Sequence, residues 1–317
     1  MANLTLTSVA GAAALIDAIC TFIGANGWTV ERNTLSGGAR TATVRYGTQT
    51  DYIHLYAATS GASEEVRMRV SIDYSAAAAY NAQTRQSPAD SRSNMTGPFP
   101  NVYMYVDGAA VHVAIQIAGV VEFRHLCFGL LEKAGAYTGG TYADGSWRST
   151  SYQGDFNTSN HHVPFSSGNN SGPGQSPYPG FVRYDILADS IVDGYANIGL
   201  GSSYVGAVWA GWSSWDAQET LGKITGGADA NNFDGRSVFH PFTLFVRRAG
   251  GYWSPLGQVR NTQACNMTKF SPAQEIVIGG DTYVVFPAFK RSMTVNPSNT
   301  APDLGSHTMG YAVKKVP

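Results

Sequence analysis

Residues 98–140 read PFPNVYMYVDGAAVHVAIQIAGVVEFRHLCFGLLEKAGAYTGG, and their alternation decides the fold. Val102, Met104 and Val106 alternate with Tyr103 and Tyr105. Val111, Val113, Ile115 and Ile117 alternate with His112, Ala114 and Gln116. A period of two puts each set on one face of a strand. Asp107-Gly108 suits the positive φ angles of a tight turn, so the two runs are expected to pair as an antiparallel hairpin. From Val120 to Phe128, apolar and aromatic residues interleave with Glu122, Arg124 and His125, a pattern open to a further strand or a short helix. Gly129, Gly135, Gly139 and Gly140 are expected to break it. The stretch reads as the centre of a sheet on which the rest of the chain is built.

Upstream, residues 7–25 predict a helix. Ala12, Leu15, Ile16, Ile19, Phe22 and Ile23 recur at spacings of three and four, with Thr7 or Ser8 as the cap and Gly24 or Gly27 as the stop. Trp28, Val30 and Arg32 open a strand that turns at 36–39 and returns through Ala42, Val44 and Tyr46. Residues 52–56 predict another strand. Val66, Met68, Val70 and Ile72 alternate with Arg67, Arg69, Ser71 and Asp73, a strand with a charged outer face. Residues 74–97 carry little apolar content beyond alanine and predict a long excursion, functional or docked on a neighbour.

Downstream, residues 135–181 are rich in Gly, Ser, Asn, Tyr and Pro and predict a surface loop or an arm that orders against other subunits. Tyr137, Tyr142, Trp147, Tyr152, Phe156, Phe165 and Tyr178 are many aromatics for such a segment. With Trp209, Trp212 and Trp215 of VWAGWSSW, they are the candidate interface residues. Residues 239–246 predict a buried strand. Residues 275–278 and 282–286 predict a second hairpin around Gly279-Gly280-Asp281, and 311–313 a last edge strand. The division expected is 1–134 (helix plus antiparallel sheet), 135–181 (loop or arm) and 182–317 (β-rich, open to sharing the same core). The fold class is α+β and β-rich: an N-terminal helix on hairpin-built antiparallel sheets, with long Gly/Ser/Asn/aromatic loops.

Charged residues are 14% of the 317, against ~25% in ordinary soluble proteins. Such a surface suits a secreted binding module or a subunit that buries its surface in an assembly. A net charge of −1, with no Lys/Arg run longer than two, argues against a nucleic-acid partner. Cys20, Cys127 and Cys265 lie far apart in apolar settings and read as buried free thiols of a protein made in a reducing cytoplasm. The N-terminus lacks a charged n-region, and no stretch reaches ~18 apolar residues, so neither a signal peptide nor membrane insertion is expected.

No reactive constellation stands out. His161-His162 has no acidic or Cys partner nearby in sequence, and no metal or cofactor site is expected. No GxSxG sits in a strand-turn-helix context, and no glycine run has the flanks of a phosphate loop. A glycan-degrading reading would use Asp144, Asp155 and Asp185, and requires two carboxyls about 5–10 Å apart beside a groove.

Three pieces resemble a family of virion structural proteins of tailed bacteriophages and prophages. They are the helix leading into Ala25–Trp28 (within 7–46), the hairpin and following strand from Phe99 to Gly129 (within 98–140), and Gly279–Pro287 (within 275–291). Residues 140–270 match no part of that pattern. The resemblance implies a tail- or baseplate-associated role in the virion, without catalysis. The implied partners are copies of the chain in a ring around the tail axis and other tail or baseplate proteins. It leaves baseplate, tip and neck open, with the distal tail favoured. The alternatives are a receptor- or carbohydrate-binding tail-tip protein engaging a host-surface glycan, and a neck or head-tail connector. If 135–181 is a docking arm, removing 140–180 should leave a folded monomer that fails to enter particles.

Overall fold

The computed structural model describes residues 1–60, 63–117, 122–148, 161–162, 164–165, 180–186, 191–198, 206–207, 239–247, 253–267, 269–289 and 309–315. The hairpin at the centre of the sequence is also central in space. Strands β7 (Phe99–Asp107) and β8 (Ala110–Ile117) pair antiparallel, with Val102 opposite Ile115, Met104 opposite Val113 and Val106 opposite Val111. Asp107 pairs with Ala110, so the turn is Gly108-Ala109, one residue later than Asp-Gly suggested, with Gly108 at φ 53°. Residues 122–130 resolve as strand β9 (Glu122–Leu130), paired along the whole of β8.

These strands lie inside an eight-stranded sheet. Its order is β1 (Ala2–Val9), β7, β8, β9, β11 (Thr138–Gly145), β14 (Gly180–Ile186), β15 (Ile191–Ile198) and β16 (Gly206–Ala207). Every pairing is antiparallel except β15 with β16. Of the glycines expected to break the pattern, Gly135 does so in the bend between Lys133 and Thr138, while the other three lie within strands. Gly129 continues β9 at φ 144°, where a Cβ would collide with the Ala109 carbonyl oxygen, and Gly139 and Gly140 carry β11 through a register shift.

A five-stranded meander covers one face of this sheet. It runs β2 (Trp28–Ser36), β3 (Ala39–Tyr46), β4 (Tyr52–Ser60), β5 (Ser63–Ser71), β6 (Ser91–Met95). Helix α1 (Ala12–Gly24) packs on β2 to β4, and Leu15, Ile16, Ile19 and Ile23 join the shared core with Val44, Leu55, Met68, Val102, Val113 and Phe128. Burying each such side chain contributes roughly 1.5–3 kcal/mol.

The helix begins at Ala12, not at residue 7, because residues 2–9 are taken by β1, whose Leu4 pairs with Met104. Its N-cap, Gly11, makes no side-chain bond. The Ala12 N–H instead donates to the Glu64 carboxylate at 2.8 Å, a cap supplied from another strand.

A third sheet covers the other face. Strands β18 (Trp253–Asn266), β21 (Met309–Lys315), β20 (Asp281–Pro287) and β19 (Gln274–Ile278) lie in that order. Strands β17 (His240–Arg247) and β10 (Glu132–Lys133) both pair with β18. Residues 311–313, expected at an edge, are interior, with β18 and β20 on either side and Tyr311, Ala312 and Val313 fully buried. The eight-stranded sheet is thus a middle layer, apolar on both faces. One core mixes Tyr105, Phe123 and Tyr142 with Phe242, Phe286 and Tyr311, so residues from all three expected segments share it. A short ladder pairs β12 (Trp147–Arg148) with β13 (His161–His162). The fold is α+β and β-rich.

Candidate functional site

The chemistry-bearing side chains gather in three places. The first lies between the middle and third sheets. His112 and Cys127 are cross-strand partners on β8 and β9, and His125 is one pair further along, on the same face. His125 Nε2 is 2.9 Å from the Pro287 carbonyl oxygen, which only accepts, so that nitrogen carries the hydrogen. His125 Nδ1 therefore accepts from His112 Nε2 at 3.0 Å. His112 Nδ1 in turn is an acceptor, 3.0 Å from the Thr262 hydroxyl and 3.4 Å from Cys127 Sγ.

The carbonyl thus fixes both neutral tautomers, and a proton added at His125 Nδ1 would face the His112 Nε2–H, donor to donor. Burial drives both rings the same way: His125 is lowered to about 3 and His112 well below its ordinary value. Burial pushes the Cys127 thiol up, with Asp144 adding to it. The rings of Phe286 and Tyr311 close the space around the pair. This is an interior network of fully buried groups bonded to one another, and its residues act as fasteners between sheets.

The second place joins the middle sheet to the meander. Asp51 accepts from Arg183 Nη1 and from the Thr141 hydroxyl, each at 2.6 Å, and Asp51 and Arg183 are both buried. Asp144, a candidate carboxylate for glycan chemistry, is fully buried and accepts the Phe165 N–H at 2.9 Å. Asp155 and the side chain of Asp185 lie outside the described residues. Glu122 and Arg124 form a buried ion pair at 2.5 Å, and Arg124 Nε also donates to the Asn94 carbonyl. They point to the face opposite His125, so the three do not form one cluster.

The third place is the outer face of the meander. Thr41, Tyr56, Arg67 and Arg92 stand in one cross-strand row; Arg32, Thr43, His54 and Arg69 stand in the next. Arg32 reaches this face only because the β2–β3 register shifts between Val30 and Arg32. Segment 74–90 folds down on these rows, so this excursion docks on its own sheet. Tyr80 stacks on Tyr56 at 4.3 Å and 3°. Gln83 Nε2 donates to the Ser75, Ala78 and Ala79 carbonyls while its Oε1 accepts the Ser75 N–H. Asp90 is held by Arg69 at 2.5 Å. Between segment and sheet lies a pocket of about 380 Å³ lined by Arg32, Thr41, Tyr56, Arg67, Ala79, Tyr80 and Asn81. His54 sits beneath, between the Thr43 and Ser71 hydroxyls, lowered to about 3 by burial and by Arg32 and Arg69.

The aromatics singled out as interface candidates divide. Tyr142 and Phe165 are each 1% exposed and pack on one another at 5.7 Å inside the core, so neither offers a surface to a partner. The Phe165 ring also lies 5.0 Å from Phe242, and the neighbouring Pro164 carbonyl accepts the Tyr311 hydroxyl at 2.8 Å. The loop aromatic is thus drawn into its own chain. Tyr137 is half-buried against that core under Lys133, and Trp147 is half-buried in its short ladder. Tyr152, Phe156, Tyr178, Trp209, Trp212 and Trp215 lie outside the described residues. Because 138–145 is an interior strand, deletion of 140–180 removes core, and the expectation of a folded monomer is withdrawn.

Sequence reasoning missed β1, β6, β18 and the arginine–tyrosine face. The Leu4-Thr5-Leu6-Thr7 alternation was a usable signal for β1. Ser91-Arg92-Ser93-Asn94-Met95 concealed β6 because small inward residues are needed there: the Gly145 N–H donates to Ser91 Oγ at 3.0 Å, where two sheets approach closely. Among the described residues no helix is long and apolar enough to cross a membrane, and no group of three or more His, Cys, Asp or Glu is placed to hold a metal. A scan against protein-family models and a search of the curated proteins find no match to this chain.

Proposed function

We propose that this chain is a structural subunit of a tailed-phage particle, in the distal tail, acting by burying surface against copies of itself and neighbouring tail proteins. The observation that carries the reading is the state of the outer strands. β19 ends the third sheet, and among the described residues nothing pairs with its outer edge; Val277 is 70% exposed and Ile278 44%. β1 ends the middle sheet in the same way, with Leu4 at 37%. Leu35, near the tip of the β2–β3 hairpin, is 58% exposed. Unpaired strands with exposed apolar side chains are templates for pairing with another chain. The interior imidazoles of His112 and His125 are meanwhile enclosed and bonded to one another, to Thr262 and to the Pro287 carbonyl, as suits a scaffold. The three pieces that resemble virion proteins fall on α1 to β3, on β7 to β9, and on β19 to β20, so the resemblance follows the elements that build all three layers.

The test is incorporation. A tagged chain carrying Val277→Lys and Ile278→Lys is expressed in infected cells, and purified particles are probed for it. The variant is expected to fold, because both side chains are exposed, and to be missing from particles that contain the tagged parent. Equal incorporation, or particles that lack the parent chain, would overturn the reading.

A further inference from the structure

The pocket under segment 74–90 is unrelated to the sheet edges that carry the assembly reading. From its charge, its hydrogen-bonding state and its size, we propose that it binds a small anionic ligand, a sugar-sized molecule bearing one carboxylate or phosphate, with Arg32 as the residue that grips the anion.

Three observations converge. The first is charge. Arg32, Arg67, Arg69 and Arg92 share the outer face of the meander, and in the ion pairs described there the carboxylates are Glu65 and Asp90. Glu65 is held by Arg67, and Asp90 by Arg69 and Arg92. Arg32 has no carboxylate partner among the described residues, so the face keeps excess positive charge at the pocket.

The second is the state of the Arg32 guanidinium. Nη1 donates to the Ala78 carbonyl at 3.0 Å and, more weakly, to Ala76 at 3.4 Å, and the guanidinium carbon lies 5.9 Å from the Tyr74 ring centre. Nε and Nη2 are shielded from water and have no hydrogen-bond partner. One N–H from each forms the side-on fork that meets the two oxygens of a carboxylate or phosphate. Donors left without water or partner are costly, and these two are closed to water as the side chain stands, so an anion in the pocket relieves that cost once the guanidinium turns toward it.

The third is the wall. The pocket volume, about 380 Å³, is in the range of small-ligand sites. Arg32 and Arg67 line it with the Thr41 hydroxyl, the stacked Tyr56 and Tyr80 rings, and Asn81, which is exposed and so lies at the rim. These groups offer hydrogen bonds and apolar ring edges to a polyol body. The Gln83 bonds and the Tyr56–Tyr80 stack hold the wall in place beforehand, which lowers the ordering cost of binding.

The experiment is calorimetric titration of the full chain at low salt with glucuronate, glucose 6-phosphate and glucose. One or both acidic sugars are expected to bind, and the stronger identifies the head group; glucose is expected to give no signal. Arg32→Gln should weaken binding about tenfold or more, the usual consequence of losing a charge-assisted pair. Arg32→Lys, which keeps the charge and loses the fork, should weaken it as well, and Thr41→Val should weaken it severalfold without changing charge. Arg45→Gln, which breaks an exposed pair with Glu31 outside the pocket, should leave it unchanged. The proposal is overturned if neither acidic sugar binds, if glucose binds as well as they do, or if the folded Arg32 and Thr41 variants match the parent.

Discussion

Acidification to pH 5 should destabilise this protein through its buried imidazoles, and the size of the effect follows from their surroundings. His54 and His125 are each lowered to about 3 from an ordinary 6.5, chiefly by burial, and His112 is lowered in the same direction. Between those values the unfolded chain binds protons that the folded chain refuses. Stability therefore rises with pH across roughly 3 to 6.5 and is lost as pH falls through that window. At pH 5 an unfolded imidazole is almost fully protonated, which favours unfolding by about 2 kcal/mol for each ring. His54 and His125 together give about 4 kcal/mol, with His112 adding in the same sense. That sum is a ceiling, because local opening can hydrate a ring before the whole chain unfolds. It is still a large part of the ~5–15 kcal/mol that holds a typical domain together.

Urea titrations at pH 7.5 and 5.0 test this, because ordinary carboxylates are ionised in both states over most of that range. The midpoint should fall by about 1 M or more at pH 5.0. His54→Gln should flatten the dependence by about one proton, since a glutamine in that site does not titrate. Equal midpoints at the two pH values, or a His54→Gln chain with the parent's slope, would refute the reasoning.

Three further outcomes are expected. Burial pushes Cys20 up to about 12 and raises Cys127 and Cys265 as well, so a disulfide reagent at pH 8 should label no thiol in the native chain and all three after denaturation; rapid native labelling would contradict the packing. Glu64→Ala removes the acceptor for the Ala12 N–H and should cost about 1 kcal/mol in urea denaturation, and an unchanged midpoint would mean the helix start is held by other contacts. Asp51→Ala removes the buried carboxylate that the Arg183 guanidinium donates to and should cost about 3–5 kcal/mol, most of it recovered when Arg183→Met is added; additive losses would show that the two are not coupled.

What the sequence determined by itself was local. Alternation in 102–117 fixed two strands and their facing residues, because a period of two leaves only one way to sort Val102, Met104 and Val106 from Tyr103 and Tyr105. The three-and-four spacing of 12–23 determined the helix in the same way. Gly279-Gly280 determined a hairpin turn, and both residues have positive φ. Tertiary structure decided which face of each strand meets which layer. His112 of β8 and His125 of β9 stand out as polar residues among apolar neighbours, yet both are fully buried by a sheet whose strands lie more than a hundred residues downstream.

The His112–His125–Thr262 network was illegible for that reason: its members are ordinary strand residues until β18 and β20 arrive with Thr262 and the Pro287 carbonyl. The Arg32 pocket depends on a one-residue register shift, and alternation cannot foresee a shift that pairing with the neighbouring strand imposes. Phe165 looked like a partner-facing aromatic because its neighbours are Gly, Ser and Asn. Composition reports what surrounds a residue along the chain, while burial depends on what surrounds it in space.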